Sequence, residues 1–250
     1  PSQSRWQHPP DYWLSRGKTP CRDWSADSPY DPLLGAVNNI TGEEAMAEKI
    51  DFKKATGSYR AKHGEFRILQ VPAMRYLMID GQGDPNLERT YTEALETIYP
   101  VAYKLKFASK QNGQDYVVPP LEGLWWADDM NSFTTERDKS KWSWTLMLMV
   151  PEWLNADDVQ TAVEAAKSGR DLPSIERMRF ELLDEGQCVQ TLHLGAYDEE
   201  GPVIRKMHEN FIVGHGLRLT GKHHEIYLGD PRKVAPDRLR TILRQPVESL

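Results

Sequence analysis

Val117-Val118-Pro119-Pro120-Leu121-Glu122-Gly123-Leu124-Trp125-Trp126 sets one carboxylate inside an otherwise apolar, aromatic run with strand character. A lone charge in a half-buried strand costs free energy unless a partner or a reaction uses it. A solvent-facing glutamate, or one paired with a Lys or Arg, is the plain reading. The sharper one makes Glu122 a functional group.

Upstream, Phe66 to Ile79 has strand character interrupted at Pro72 and runs into the turn Asp80-Gly81-Gln82-Gly83. Asp84-Pro85 then reads as the N-cap and first-turn proline of a helix, with Tyr91, Ala94, Leu95, Ile98, Ala102 and Leu105 at helical spacing and a kink expected at Pro100. Downstream, a charged, hairpin-like loop from Asp128 to Lys141 leads to a strand from Trp142 to Val150. An alanine-rich helix from Ala156 to Lys167 ends at Ser168-Gly169.

The order strand, helix, strand, strand then recurs. Met178 to Leu194 has strand character, a helix after Pro202 carries Ile204, Met207, His208 and Phe211 on one face, and Leu217 to Leu228 and Leu239 to Val247 are strands. Such a repeat predicts an α+β fold of two similar units, residues 65–150 and 176–248, joined by a helix over 156–168. They are expected about a pseudo-twofold axis, sharing one sheet with a ligand cleft between them. Residues 1–45 mix Pro, Ser, Asp, Trp and Tyr without period and read as an extended arm; the domain spans 46–250. The strand equivalent to 117–126 reads Lys222-His223-His224-Glu225-Ile226-Tyr227-Leu228, again with one glutamate ahead of an apolar and an aromatic residue. Alternation puts Glu122, Leu124 and Trp126 on one face of their strand and His223, Glu225 and Tyr227 on one face of theirs. The repeat thus predicts two carboxylates converging on the cleft.

Composition narrows the classes. A chain of 250 residues with 39% hydrophobic content is long enough to bury its own core. The net charge of -6 without a basic cluster argues against a nucleic-acid partner. The longest apolar run, Trp144 to Val150, is too short to span a bilayer, so no membrane role is expected. Cys21 and Cys188 belong to no ligand pattern, and adjacent His223 and His224 point to opposite strand faces, so no metal is expected. The chain reads as cytoplasmic.

Asp84-Pro85-Asn86, Tyr99 to Lys106, Pro120-Leu121-Glu122-Gly123-Leu124-Trp125-Trp126, Leu192 to Glu200 and His224 to Pro231 together resemble the stand-alone GyrI-like small-molecule-binding proteins, over about Met46 to Val247. Ala196 stands where that family more often has proline. The resemblance implies a duplicated fold around an apolar cleft. The branch with the Leu-Glu-Gly-Leu-Trp and His-Glu-Ile-Tyr-Leu patterns is similar to proteins that hydrolyse cyclopropane-bearing DNA alkylators of the yatakemycin and CC-1065 type, and its two active-site glutamates would map onto Glu122 and Glu225. Opening the cyclopropane with water calls for an apolar slot and a base, without a cofactor. Trp125, Trp126, Trp142, Trp144, Tyr103, Tyr197 and Tyr227 are the candidate stacking faces for a hydrophobic aromatic ligand, and His193 a candidate donor. A non-catalytic drug-binding or sensing protein is the alternative.

Overall fold

The computed structural model describes residues 48–128 and 138–250. The expected arm, and most of the expected loop between Asp128 and Lys141, lie outside the described residues. Among the described residues nine strands form one antiparallel sheet: β1 (Arg67–Val71), β2 (Met74–Gln82), β3 (Leu121–Trp126), β4 (Ser143–Val150), β5 (Met178–Leu183), β6 (Gly186–Leu194), β7 (Leu217–Leu219), β8 (His223–Tyr227) and β9 (Arg240–Ser249). The order across the sheet is β1-β6-β9-β8-β3-β4-β2-β5, with β7 added beside β9. Exchanging β1, β2, β3 and β4 for β5, β6, β8 and β9 leaves that order unchanged. β3 and β8 are the strands where the halves meet.

The expected unit is corrected in one respect. Each first strand is two strands, because Pro72 and the Asp184-Glu185 step break the run, and the two pieces go to different places. β1 leaves its own unit to pair with β6, and β5 crosses to pair with β2. Leu217 to Leu228 is likewise split, at Gly221, whose φ of 59° suits a turn.

Helix α1 (Phe52–Ala55) is a single turn capped by Asp51. Helix α2 runs unbroken from Arg89 to Gln111 through Pro100. It starts later than Asp84-Pro85 implies: the Asp84 carboxylate accepts from the Asn86 amide and closes a turn ahead of the helix. Helix α3 (Ala156–Lys167) begins with a capping box in which Asn155 and Asp158 satisfy each other's backbone amides. Helix α4 (Gly201–Arg205) continues as a π-helical turn over Lys206–Ile212.

Strand alternation sorts the sheet into two faces. On the helical face, Leu77, Ile79, Leu146 and Leu148 pack under Ala94, Ile98, Val101 and Leu105 of α2, with α3 outside them. On the same face of the second half, Val189 and Leu243 pack under Met207 and Ile212. The opposite face carries Tyr76, Met78, Leu124, Met147, Ile226 and Ile242, covered by Tyr59 and the chain around it. No described helix is long and apolar enough to cross a membrane.

Trp144 fills the helical-face core, fully buried, because Gly81 opposite it has no side chain. A Cβ on Gly81 would lie 2.1 Å from the indole ring. Gly81→Ala is therefore expected to destabilise the fold by about 1–3 kcal/mol, the usual cost of overpacking, read from the urea midpoint at unchanged m value.

Candidate active site

The pairing of β3 with β8 decides which side chains can meet. Glu122 lies opposite Ile226, and Gly123 lies opposite Glu225. Directly paired residues share a face and successive ones alternate, so Glu122 and Glu225 project from opposite faces of the sheet. The expected convergence of the two glutamates does not occur. The sequence alignment of the repeats is one residue out of step with the pairing, and one residue is enough to reverse a side chain.

Glu122 is fully buried on the opposite face. Tyr59 donates its hydroxyl to Oε1, Tyr76 donates to Oε2 at 3.3 Å, and His224 Nε2 lies 2.9 Å from Oε2. The other nitrogen of His224 is 3.0 Å from the Glu185 carboxylate, and Arg244 Nη1 donates to Glu185 at 2.9 Å. Arg244 also donates to Gln190 Oε1 and to the Ser58 carbonyl. Burial alone would raise the pKa of Glu185, but the His224 and Arg244 cations override it and hold the carboxyl at about 2. Burial would likewise discharge His224, yet the flanking carboxylates raise its pKa, so imidazolium donates from both nitrogens. Glu122, Glu185, His224 and Arg244 thus form a closed, charge-balanced network.

Glu225 occupies the helical face between the α2 half and the α4 half, its side chain only 14% exposed. Tyr227, two residues along the same face, donates its hydroxyl to Glu225 Oε2 at 2.7 Å, and Trp125 Nε1 donates to the Tyr227 oxygen at 3.0 Å. Gly123 makes room for this: a Cβ there would stand 2.8 Å from Trp125 Nε1 and 3.1 Å from the Tyr227 hydroxyl. Tyr197 meets Tyr227 edge to face at 5.5 Å, Tyr91 stacks on Trp125 at 6.4 Å, and Trp142 meets Trp125 edge to face at 5.9 Å. These rings form an aromatic lining around one carboxyl.

A second carboxyl completes the site. Glu200, from the start of α4, is 4% exposed and its carboxyl interacts directly with that of Glu225. Its Oε1 is buried without a hydrogen-bond partner among the described residues. Burial, reinforced by the neighbouring charge of Glu225, raises the Glu200 pKa well above the ordinary range. Burial also raises Glu225, which hydrogen bonds from Tyr227 and Glu200 restrain to about 7. The two carboxyls titrate as a coupled pair, with burial and mutual repulsion favouring retention of a proton between them.

The structure brings together Glu225, Trp125, Trp142, Tyr197 and Tyr227 of the expected set. Trp126 shares the face of Glu122, as alternation predicts, and lies under Lys222, whose Nζ is 3.2 Å from the ring centroid. Trp144 is core, and Tyr103 sits on the outer side of α2, 49% exposed and stacked with Tyr99 and Phe107. His193 Nε2 is engaged with the Ala196 carbonyl at 3.1 Å, tying down the turn after β6. Glu200 stands at the start of a helix, where an acidic residue is ordinary, and only the fold brings it to Glu225 and Thr241. Among the described residues no group of His, Cys, Asp and Glu is arranged to hold a metal.

An antiparallel sheet carries helices on one face, and beneath them a buried carboxyl pair is ringed by aromatic side chains. The model of the GyrI-like small-molecule-binding domain matches residues 64–248, and the chain belongs to that family. An uncharacterized conserved protein from Listeria innocua has a similar structure: 38% identity, 80% of this chain and 100% of that chain covered, TM-score 0.72. A hydrolase from the same organism, with the same identity and coverage, has a TM-score of 0.69. No curated protein matches the chain.

The buried network gives a stability prediction. Glu185→Gln leaves His224 and Arg244 short of a counter-charge and is expected to cost about 3–5 kcal/mol in urea unfolding. Because the folded pKa of Glu185 is depressed, its contribution is present above the ordinary carboxylate pKa and is lost as pH falls from about 4.5 towards 2. The variant therefore shows a flatter loss of stability over that window than the parent.

Proposed function

We propose that the protein binds a planar, hydrophobic small molecule in the helical-face cleft and hydrolyses it with water activated by Glu225. The observation that carries this reading is a pair of buried, interacting carboxyls, Glu225 and Glu200, set in an aromatic lining. Two like groups with pKa values pushed apart supply a base and a fixed hydrogen-bond donor in one place. The hydrolase from Listeria innocua, at 38% identity, supports a hydrolytic rather than purely binding role.

The substrate class is the one the family resemblance implies: a flat aromatic molecule with an electrophilic cyclopropane conjugated to a dienone. Ionised Glu225 takes a proton from water as the water oxygen bonds the ring methylene. The cyclopropane carbon–carbon bond breaks, and its electron pair passes through the conjugated system to the carbonyl oxygen. That oxygen is protonated from solvent, leaving an alcohol and a phenol. Water is the only co-reactant. Trp125 and Tyr227 hold the flat framework, and protonated Glu200 keeps the Glu225 carboxylate oriented.

Conversion of a cyclopropane-bearing alkylator to its ring-opened alcohol, followed by chromatography, tests the reading. Glu225→Gln is expected to lower turnover by at least about 100-fold, as removal of a general base does. Glu122→Gln, where the folded protein is recovered, retains turnover because Glu122 faces away from the cleft. Recovery of unchanged substrate from the parent protein after long incubation would instead identify a binder without catalysis.

Activity is also expected to depend on pH in a fixed direction. The base works only when ionised, so kcat/KM rises with pH through about 7 and levels above it. A profile flat from pH 5 to 9 would contradict the assignment of Glu225.

A further inference from the structure

Along the helical face of β8 the order is Tyr227, Glu225, His223. Tyr227 donates to Glu225 Oε2, and Oε1 is the oxygen that faces His223. His223 Nε2 stands 3.6 Å from that oxygen, beyond the reach of a direct hydrogen bond. The ring is 8% exposed, and neither of its nitrogens has a hydrogen-bond partner among the described residues. Such an orphan is uncommon, because buried polar atoms are nearly always satisfied.

The surroundings keep His223 neutral. Its ring meets that of His208 edge to face at 6.1 Å, and burial, with help from His208 and the His224 cation behind the sheet, lowers its pKa to about 3. Burial holds His208 down as well, at about 4. His208 projects from the π-helical turn, an arrangement that recurs at functional sites because it redirects side chains. A neutral imidazole beside a carboxylate presents a lone pair and no charge.

We propose that His223 is the second anchor of the attacking water, orienting it against Glu225 Oε1. The water directs one proton to Oε1 and the other to the free lone pair of His223 Nε2, with Nδ1 carrying the ring hydrogen. Two acceptors fix both O–H bonds, so the reactive lone pair of the water points into the cleft. The proton taken in the step goes to Glu225, and His223 gains none. This inference rests on the proposed hydrolysis and adds a water-orienting residue that the reaction does not strictly require.

The test compares four forms of the full chain: parent, Glu225→Gln, His223→Phe and His223→Gln. His223→Phe keeps a ring but offers no acceptor; His223→Gln restores an acceptor oxygen at similar reach. His223→Phe is expected to lose kcat on the order of 100-fold, the scale of a misplaced reactant, with KM and the affinity for an unreactive planar aromatic unchanged. His223→Gln is expected to recover most of that loss. Circular dichroism and urea unfolding establish that each variant is folded, and His223→Leu replaces His223→Phe if the larger ring disturbs the packing. Parent-like kcat in the acceptor-less variant, with Glu225→Gln inactive, overturns the role of His223 alone. Parent-like kcat in Glu225→Gln, or an inactive parent, overturns the hydrolytic reading and this inference with it.

Discussion

The registration of β3 against β8 decides which side chains share a face at the centre of the sheet. With Gly123 opposite Glu225 and Glu122 opposite Ile226, the two conspicuous glutamates are divided between the faces of one sheet. Each face then uses its carboxylate differently. On one side Glu122 is matched by tyrosine hydroxyls and an imidazolium in a closed network. On the other, Glu225 accepts from Tyr227 and interacts with Glu200, beside His223, whose nitrogens have no hydrogen-bond partner among the described residues. Hydrogen bonding, rather than the residue type, distinguishes the surroundings of the two glutamates.

The two sites are linked through the strand. His224 and Glu225 are successive residues, and the network that fixes His224 also fixes the backbone from which Glu225 projects. The His224 cation lowers the Glu225 pKa from behind the sheet while burial raises it. A charged network at the junction of the two halves therefore serves the cleft in two ways: it sets the register that places Glu225, and it moderates the carboxyl's affinity for protons. Gly123 and Gly81 contribute by absence, each leaving the space that an indole fills.

Much of this was legible in the sequence. Strand alternation correctly grouped His223, Glu225 and Tyr227 on one face and Glu122, Leu124 and Trp126 on another. The pairing between the two groups was not legible, because it depends on a register that similar motifs fix only to within a residue, and one residue reverses the face. The split of each first strand at Pro72 and at Asp184-Glu185 was visible as a break, but not as an exchange of strands between units. Glu200 gave no signal of its own: at the start of a helix an acidic residue is ordinary, and only the fold carries it to Glu225. Trp144, alike in sequence to Trp125, was sorted by packing alone.

The central claim is that the ligand sits on the helical face, against Glu225, and not against Glu122. A crystal structure with an unreactive planar aromatic ligand tests it most directly. The account predicts the ligand stacked among Trp125, Tyr227 and Tyr197 with its reactive edge beside Glu225 Oε1. Density for the ligand on the opposite face of the sheet, in contact with Glu122, would contradict it.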